Sequence, residues 1–284
     1  MAVQEQEDKD GRRPDYLEVM YDALSVPLAI QASYTRLDTY RTCPRKYKHV
    51  YVDKEREPPS EAMLIGHAVH SALEVWLAVD GQDVGDLLDI FTASVESQRK
   101  EGDITVEEEE LARTMLLDYY DSLASVNKDL VLGIEEEFNL LIPGVYISGI
   151  IDRAEYLDKK KDTILVTDYK SGRSSISQQQ AKKNLQMAIY TLAAMHMWPA
   201  ERYITQLVYP RLNKSIKHEF TLQELQDHIS NIQELGLNMR LDHRFKPTGT
   251  PPICGNCGYK HQCPWGKKMD KIWQGIKRKR EAKQ

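Results

Sequence analysis

Three stretches between residues 133 and 170 alternate apolar and polar side chains, and turn residues separate them. The stretches are GIEEEFNLLI at 133–142, GVYISGIIDRAEYL at 144–157 and DTILVTDYK at 162–170. Alternation with a period of two is typical of β-strands, and Pro143-Gly144 and the polar segment 158–162 are turn signals. The sequence therefore predicts an antiparallel meander of three strands, against which the rest of the chain has to pack.

Helical periodicity is found on both sides of this meander. Upstream, helices are predicted to begin near Ser33, a candidate N-cap, and to occupy residues 62–79 and 106–125. Downstream, long helices are predicted at 178–198 and 222–240, with two more strands between them at 202–212 and 214–222. Strands and helices that alternate in this way indicate an α/β protein with an N-terminal helical part.

Composition limits the cellular setting and the number of domains. The chain has 284 residues, 41% hydrophobic and 29% charged, enough for one large domain or one domain with a small appendage. No run approaches the roughly 20 apolar residues of a membrane helix, and the first segment, MAVQEQEDKDGRRPDY, is charged. We expect a protein without membrane contact in the cytoplasm, or in the host cytoplasm if the protein is viral.

The two ends of the chain differ from its middle. Residues 1–30 are polar and have little pattern, so we expect a flexible lead-in. Residues 266–284 contain eight Lys or Arg against two acids, in a chain whose net charge is −5. This basic C-terminal tail is a candidate for binding a polyanion, and a solvated basic helix end is the alternative.

The last strand of the meander carries an acid and a base on one side. Asp168 and Lys170 are two positions apart, so their side chains point to the same face, and a hairpin brings Asp152 near Asp168. Two carboxylates repel unless a cation lies between them, and an oxygen-ligated Mg²⁺ or Mn²⁺ suits such a pair. A nearby ammonium can stabilise charge that develops on phosphorus. An ordinary ion pair at a strand end is the alternative.

Further motifs stand in a fixed order around this strand end. In chain order they are Gly66 to His70 (GHAVH), Gly149 to Asp152 (GIID), Asp168 to Lys170 (DYK) and Gln186 to Tyr190 (QMAIY). This order resembles the RecB-like branch of the PD-(D/E)xK nuclease superfamily, from about residue 33 to residue 263. The resemblance implies a restriction-endonuclease-like core, with a central mixed β-sheet flanked by helices, and a metal-dependent nuclease activity.

The resemblance also implies a role for individual residues. The implied metal ligands are His70, Asp152 and Asp168, with the backbone carbonyl of Tyr169 as a further donor; Lys170 is the implied catalytic lysine, and Gln186 and Tyr190 are implied to line the DNA path. The family often has Glu at the position of Asp168, which keeps the charge and the donor. His67 is an alternative to His70, and either histidine is also compatible with a helix core. Glu137 is either a supporting acid or an exposed strand residue.

Four cysteines form a second candidate site. Cys254, Cys257 and Cys263 have the ligand spacing C-x2-C-x5-C, and Cys43 is the remaining one. Disulfides are not expected in the cytoplasm, and four thiolates suit structural Zn²⁺ or an iron-sulfur cluster, while free buried thiols are the bland alternative. One cysteine before the motifs and three after them resembles the iron-sulfur RecB-like nucleases, including the AddB nuclease domain and the CRISPR-associated Cas-four family. The resemblance implies a structural 4Fe-4S cluster that closes a nuclease domain over residues 31–265.

The expected function is that of an Mg²⁺- or Mn²⁺-dependent deoxyribonuclease, and the resemblance favours an exonuclease on single-stranded DNA ends. Tyr34 or Tyr190 can stack on unpaired bases, and basic side chains can neutralise phosphates. The basic candidates are Arg41, Arg45, Lys46, Lys48 and the tail. No GxxxxGK[ST] phosphate loop occurs, so the chain has no motor of that type.

Several alternatives stay open at this point. CRISPR adaptation, recombination or repair, and phage DNA metabolism are all compatible settings, each with its own partner proteins. The direction of digestion, endonuclease action, RNA as a substrate and the oligomeric state are also open. A protein of another class, an iron-sulfur- or zinc-stabilised DNA-binding or scaffold protein with a vestigial nuclease site, is the competing hypothesis.

Overall fold

A mixed β-sheet lies at the centre of the described protein. The computed structural model describes residues 29–79 and 83–281, and these residues form a sheet of six strands. The strands are β1 (Ile30–Ala32), β2 (Val131–Ile142), β3 (Val145–Tyr156), β4 (Thr163–Tyr169), β5 (Arg202–Tyr209) and β6 (Lys214–Glu219). Their order is β1-β3-β4-β5-β6, with β2 paired to the opposite edge of β3.

The predicted meander is confirmed, since β2 with β3 and β3 with β4 are antiparallel. Strands β4 and β5 run parallel, with Asp168 opposite Leu207, because the chain crosses back through helices between them. Strand β6 is antiparallel to β5, and the short β1 is parallel to β3. The predicted α/β class, with a central mixed sheet flanked by helices, is therefore confirmed.

Ten α-helices lie in the described ranges. They are α1 (Tyr34–Thr42), α2 (Pro44–Tyr47), α3 (Glu61–Ala78), α4 (Val84–Gln98), α5 (Val106–Ala124), α6 (Gln178–Ala181), α7 (Leu185–Met197), α8 (Leu222–Leu241), α9 (Pro251–Gly255) and α10 (Pro264–Glu281). Shorter helical turns are Lys48–Val52, Lys128–Leu130, Pro210–Leu212 and Gly258–His261. No helix of these ranges is both long enough and apolar enough to cross a membrane.

Three features differ from the expectations. Helix α4 is not predicted from the sequence, although Leu87, Phe91 and Val95 recur every four residues and are buried there. The single helix expected at 178–198 is two helices, because Asn184 caps α7 by accepting the backbone N–H of Met187. The three residues of β1 are too few to show a period. The lead-in expected for residues 1–30 lies, up to residue 28, outside the described residues.

Two hydrophobic cores cover the two faces of the sheet. One contains Ile164 and Val166 of β4 together with apolar residues of α1, α7 and α8. The other contains Tyr169 of β4 and Val208 of β5 with residues of α3, α4 and α5. Strand β4 is therefore buried on both faces along its whole length, and its carboxyl end delivers side chains to the junction of the two layers.

Candidate active site

Helix α3 meets the end of β4 at a glycine. Ser60 caps the helix with its hydroxyl and determines where α3 begins. A Cβ on Gly66 would lie 3.1 Å from Oγ of Ser171, so the glycine lets the helix approach the strand end this closely. His70 lies one turn after Gly66 and is thereby carried to the end of β4.

Three potential metal ligands converge beside this contact. Donor atoms of His70, Glu135 and Asp152 all lie within 4.8 Å of one another. Nδ1 of His70 is 3.4 Å from Oδ2 of Asp152, and the backbone N–H of Tyr169 donates to the same oxygen at 2.8 Å. The structure brings His70 and Asp152 together as predicted. His67, the alternative histidine, lines the same pocket but lies outside this group of donors.

Glu135 was not among the predicted residues. It lies in β2 between Ile134 and Glu136, which pair with Arg153 and Ile151, so it stands opposite Asp152. Its φ of +50° is in the left-handed region, which costs a non-glycine residue of the order of 1–2 kcal/mol. Strain of this kind in a strand is characteristic of functional sites.

Glu137, the supporting acid considered in the sequence analysis, does not belong to the three-donor group. It is exposed and paired with Ile150 in the β2–β3 ladder. Its position therefore agrees with the alternative interpretation of Glu137 as an exposed strand residue.

Burial and crowding of the carboxylates shape the electrostatics of the group. Burial, followed by the negative charge of Asp168, raises the pKa of Asp152 to about 7, although the Tyr169 amide and Lys170 act in the opposite direction. Burial and then the charge of Asp152 raise the pKa of Glu135 to about 7. The negative charge of Glu74, one turn after His70 on α3, further raises the pKa of both carboxyl groups. A cation between these groups would relieve the repulsion.

Lys170 belongs to a network of hydrogen bonds and an ion pair on the neighbouring strand end. Its Nζ is 2.7 Å from Oδ2 of Asp168 and donates to Oε1 of Gln186 at 2.8 Å. The amide group of Gln186 donates to Oδ1 of Asp168 at 2.8 Å and to the hydroxyl oxygen of Tyr190 at 3.0 Å. Gln186 therefore forms hydrogen bonds with both Asp168 and Lys170, the acid and the base of the D-x-K motif.

Asp168 is placed differently from the other predicted ligands. No group of three donors that includes its carboxylate falls within 4.8 Å among the described residues. The side chain is 2% exposed, and the ammonium of Lys170, 2.7 Å from Oδ2, is the ion-pair partner of this oxygen. The pairing of Arg153 with Thr167 nevertheless puts Asp152 across from Asp168 on the neighbouring strand.

The donor set fits a hard divalent cation. One imidazole and two carboxylates within 4.8 Å, with a third carboxylate close by, are ligand types that Mg²⁺ and Mn²⁺ accept. Asp168 Oδ2 is buried, and its ion-pair partner is the ammonium of Lys170 at 2.7 Å, so a second lone pair of this oxygen is left for such an ion. The group opens into a pocket of about 560 Å³ between α3 and the sheet, large enough for part of a substrate.

All four cysteines line a second, small pocket. Cys43 follows α1, and the other three come from α9 and the turns after it. Burial, followed by the negative charges of the other three cysteines, raises the pKa of the Cys254 thiol to about 11. Among the described residues, however, no three cysteine sulfurs lie within 4.8 Å of one another.

Fold and site together define the class of the protein. A mixed β-sheet flanked by helices carries three potential metal ligands. They lie beside an acid and a lysine at the end of one strand, an arrangement that suits metal-dependent hydrolysis of phosphate esters. The family model described as the PD-(D/E)XK nuclease superfamily matches residues 31–264. The chain belongs to this superfamily, its fold is restriction-endonuclease-like, and nuclease activity with a divalent metal follows from the membership.

Two solved structures are similar to the chain. The structure of SSO0001 shows 16% identity and a TM-score of 0.43, over 88% of this chain and 94% of that one. A candidate exonuclease from Eubacterium rectale shows 12% identity and a TM-score of 0.46, over 78% of this chain and 85% of that one. Both TM-scores are below 0.5, which is too low for either structure to define the fold of this chain. A comparison with curated protein sequences gave no match.

Proposed function

We propose that the protein is a Mg²⁺- or Mn²⁺-dependent exonuclease that hydrolyses phosphodiester bonds at single-stranded DNA ends. The observation that carries the proposal is the convergence of His70, Glu135 and Asp152 beside the Asp168–Lys170 pair. Membership of the nuclease superfamily supports the reaction class. Single-stranded ends and exonuclease action come from the resemblance to the RecB-like branch.

The cation is proposed to be held by His70, Asp152 and Asp168, with Glu135 as an additional acid and the Tyr169 carbonyl as a further donor. When bound, it would supply a Lewis acid for a phosphate oxygen and lower the pKa of water. The Tyr169 amide fixes Asp152 at 2.8 Å and so joins the ligand on β3 to the acid on β4. This hydrogen bond links the neighbouring ends of β3 and β4, which carry the two carboxylates, and so supports the proposal.

Lys170 is proposed to stabilise the negative charge that develops on the scissile phosphate. Its ammonium is positioned from two sides, by Asp168 and by Gln186, so it needs little reorganisation during the reaction. Gln186 and Tyr190 are 8% and 7% exposed. We propose that they position Lys170 and Asp168, and contact of these two side chains with DNA stays a prediction.

Tyr34 is a candidate for stacking on an unpaired base. Its ring is half-buried at the beginning of α1, and burial, with a smaller contribution from Asp38, raises its pKa to about 12. The charge of Asp168 also contributes to this pKa, so Tyr34 lies near the carboxyl end of β4. An aromatic ring at this place suits a strand whose bases are unstacked.

The cysteine pocket is proposed to hold a 4Fe-4S cluster, as in the iron-sulfur branch of RecB-like nucleases. Four thiolates round one zinc ion would lie about 3.8 Å apart, given Zn–S bonds of about 2.3 Å. No three sulfurs of the described chain lie within 4.8 Å of one another, which is compatible with the larger cluster. In this proposal the cluster closes the domain of residues 31–265, and 266–284 form a basic tail.

Digestion of labelled single-stranded DNA tests the nuclease. With Mn²⁺, wild-type protein should degrade linear DNA, and Lys170→Ala should be slower by about 100-fold or more because an electrostatic donor is lost. Lys183→Ala, an exposed lysine, is the matched control and should be unchanged. Circular single-stranded DNA should resist an exonuclease. No degradation of the linear DNA by wild type would favour a DNA-binding or scaffold protein instead.

Metal analysis and absorption spectra test the cluster. A brown protein with thiolate-to-iron charge-transfer bands and four irons per chain is expected. A colourless protein with one zinc per chain would contradict the assignment without affecting the nuclease proposal.

A further inference from the structure

The C-terminal helix α10 presents a row of positive charge to solvent. With 3.6 residues per turn, Lys267, Lys271 and Arg278 fall on one side of the helix, and Lys268 and Lys279 flank them. All five side chains are exposed, and none forms an ion pair with a carboxylate within residues 29–79 and 83–280, the part of the chain whose side chains the structure describes. We refer to Lys267, Lys271 and Arg278 as the α10 stripe.

The basic residues near the beginning of the chain are in a different situation. Arg41 is paired with Asp38 at 2.6 Å and Lys48 with Asp53 at 2.5 Å, while Lys46 lies 3.6 Å from Glu57. Three of the four cations that the sequence offers for phosphate binding in this region are therefore already neutralised. The cations of α10 therefore differ from those of α1, α2 and the turn that follows. The latter have carboxylate partners, whereas the α10 stripe has none among the described side chains.

Helix α10 is fixed to the cysteine segment by close contacts. A Cβ on Gly266 would lie 2.8 Å from Cα of Lys260, and one on Gly255 would lie 2.1 Å from the ring of Trp273. Met269 is buried on the same side of the helix. The packed side is therefore set by contacts that only glycines permit, and the α10 stripe points away from it in a defined direction.

The stripe is electrostatically unfavourable by itself. Lys267 and Lys271 are four residues apart, and like charges at this spacing destabilise a helix by a few tenths of a kcal/mol. Asp270, the acid in this part of the helix, is paired with Lys260 at 3.5 Å and does not compensate the stripe. Among the described side chains the stripe therefore has no acidic partner, and such a row of cations is complementary to a polyanion.

The surroundings of the stripe favour the backbone of duplex DNA over a single strand. Proteins that bind single strands combine cations with exposed aromatic rings on which bases stack. The indole of Trp265 donates to the carbonyl of Gly249 at 2.9 Å, and Trp273 packs against Gly255. Trp265 is 38% exposed, but both rings lie on the side of α10 that faces the cysteine segment, away from the stripe, which leaves phosphate contacts as the chemistry that the stripe offers.

We propose that the α10 stripe is a docking surface for the phosphate backbone of duplex DNA, next to the single-stranded end that is digested. This inference rests on the proposed function, because it assigns a second contact to the same DNA substrate. The stripe spans twelve residues, or about 16 Å of helix, and B-DNA carries one charge per about 1.7 Å of its axis. Several phosphates can therefore face the stripe at once.

The test is binding of a labelled 24-base-pair duplex in EDTA, where no digestion takes place. The triple variant Lys267→Gln/Lys271→Gln/Arg278→Gln should bind at least tenfold more weakly at moderate salt. The slope of log K against log salt should decrease by about 2 to 3, as expected for the loss of three phosphate contacts. The control Lys159→Gln/Lys160→Gln/Lys161→Gln removes the same charge from the exposed β3–β4 turn and should bind like wild type.

Each outcome decides the proposal. Unchanged duplex binding by the stripe variant, or an equal loss in the control variant, would overturn it. An equal loss on single-stranded DNA would overturn the assignment to a duplex. If thermal melting shows that the triple variant does not fold, the three single substitutions are measured instead, and their losses should add. A wild type that digests no DNA would contradict the proposed function alone, because binding is measured without turnover.

Discussion

Glu135 and Glu137 are two residues apart in β2, yet only Glu135 joins the donors around Asp152. Three consecutive glutamates at 135–137 look equivalent in the sequence. The tight turn at Pro143-Gly144 pairs Ile142 with Val145, and counting outward from this pair places Glu135 opposite Asp152. Glu135 can therefore be identified from the sequence only by counting the β2–β3 register from the turn.

Substitution of Glu135 should weaken metal binding. Glu135→Gln removes one charge from the donor group, and we expect about 10- to 100-fold weaker Mn²⁺ binding, the range for residues that support a metal site. Glu137→Gln is the matched control, because this side chain is exposed and lies outside the donor group. Titration calorimetry with Mn²⁺ checks the prediction, and equal affinities of the two variants would refute it.

The dependence of stability on pH should reveal the crowded carboxyl groups. Folding raises the pKa values of Asp152 and Glu135 to about 7, from about 4 in an unfolded chain. Between these values the folded state binds more protons than the unfolded state, so the contribution of these groups to stability falls as the pH rises from about 4 to about 7. Above pH 7 both groups are charged, and a bound cation should offset the cost.

We therefore expect Mn²⁺ to raise the melting temperature more at pH 8 than at pH 6, where protons compete with the metal. Asp152→Asn should reduce this increase and most of its dependence on pH. Differential scanning fluorimetry at the two pH values is the measurement. An increase that is the same at both values in the wild type would show that these carboxyl groups do not bind the ion.

At the scale of elements, a glycine couples the β2–β3 hairpin to α7. Gly149 of β3 pairs with Phe138 of β2, and a Cβ on Gly149 would lie 2.6 Å from the Phe138 ring. That ring meets Tyr190 of α7 edge to face at 5.9 Å, and Tyr190 accepts a hydrogen bond from Gln186. The glycine of the G-x-x-D motif thus makes room for the Phe138 ring. That ring packs against Tyr190 and so supports the hydrogen bonds that Gln186 makes with Lys170 and Asp168.

Gly149→Ala should disturb this packing and lower the free energy of unfolding by about 1–3 kcal/mol, the usual cost of overpacking. Gly172→Ala is the control, since a Cβ there meets no atom within 4 Å. Adding Phe138→Leu to Gly149→Ala should cost less than the sum of the two single changes, because the clash is removed. Urea unfolding of the four variants measures this, and strict additivity would contradict the described contact.

At the scale of the whole molecule, Cys43 connects the beginning of the described chain to its end. It lines one pocket with three cysteines about 200 residues later. Nearby hydrogen bonds join the same segments: the hydroxyl of Tyr259 donates to the Glu55 carbonyl at 2.7 Å, and that of Thr248 to the Thr42 carbonyl at 3.1 Å. A metal centre in this pocket would close a very long loop.

Cys43→Ala should therefore destabilise the fold as a whole. Loss of a link across so long a loop is expected to lower the free energy of unfolding by about 3–5 kcal/mol, by analogy with long-loop disulfides. Thr39→Ala, in α1 just before Cys43, removes only a hydroxyl that bonds to its own helix and serves as the control. Iron content and urea unfolding are measured together. Full iron content in Cys43→Ala would exclude this cysteine as a ligand.

Local patterns were sufficient for much of the fold. The strands of the meander, the helix carrying His70 and the helix at 222–240 were predictable because periodicity is a property of a short segment. Asp168 and Lys170 could be assigned to one side of a strand for the same reason. Helix α4 was missed despite a regular apolar pattern, whereas the three-residue β1 offers too short a pattern to be found.

Contacts between distant segments required the tertiary structure. The sequence by itself determined which residue types stand at the end of β4 and that four cysteines are available, because both follow from residue order and from a period of two. Only the folded chain decided that Glu135 faces Asp152, that Gln186 is buried against Lys170, and that the cations of the α10 stripe have no acidic partner among the side chains that the structure describes. The reason is physical: each of these facts depends on cross-strand register or on packing between segments far apart in the chain, which no local period encodes.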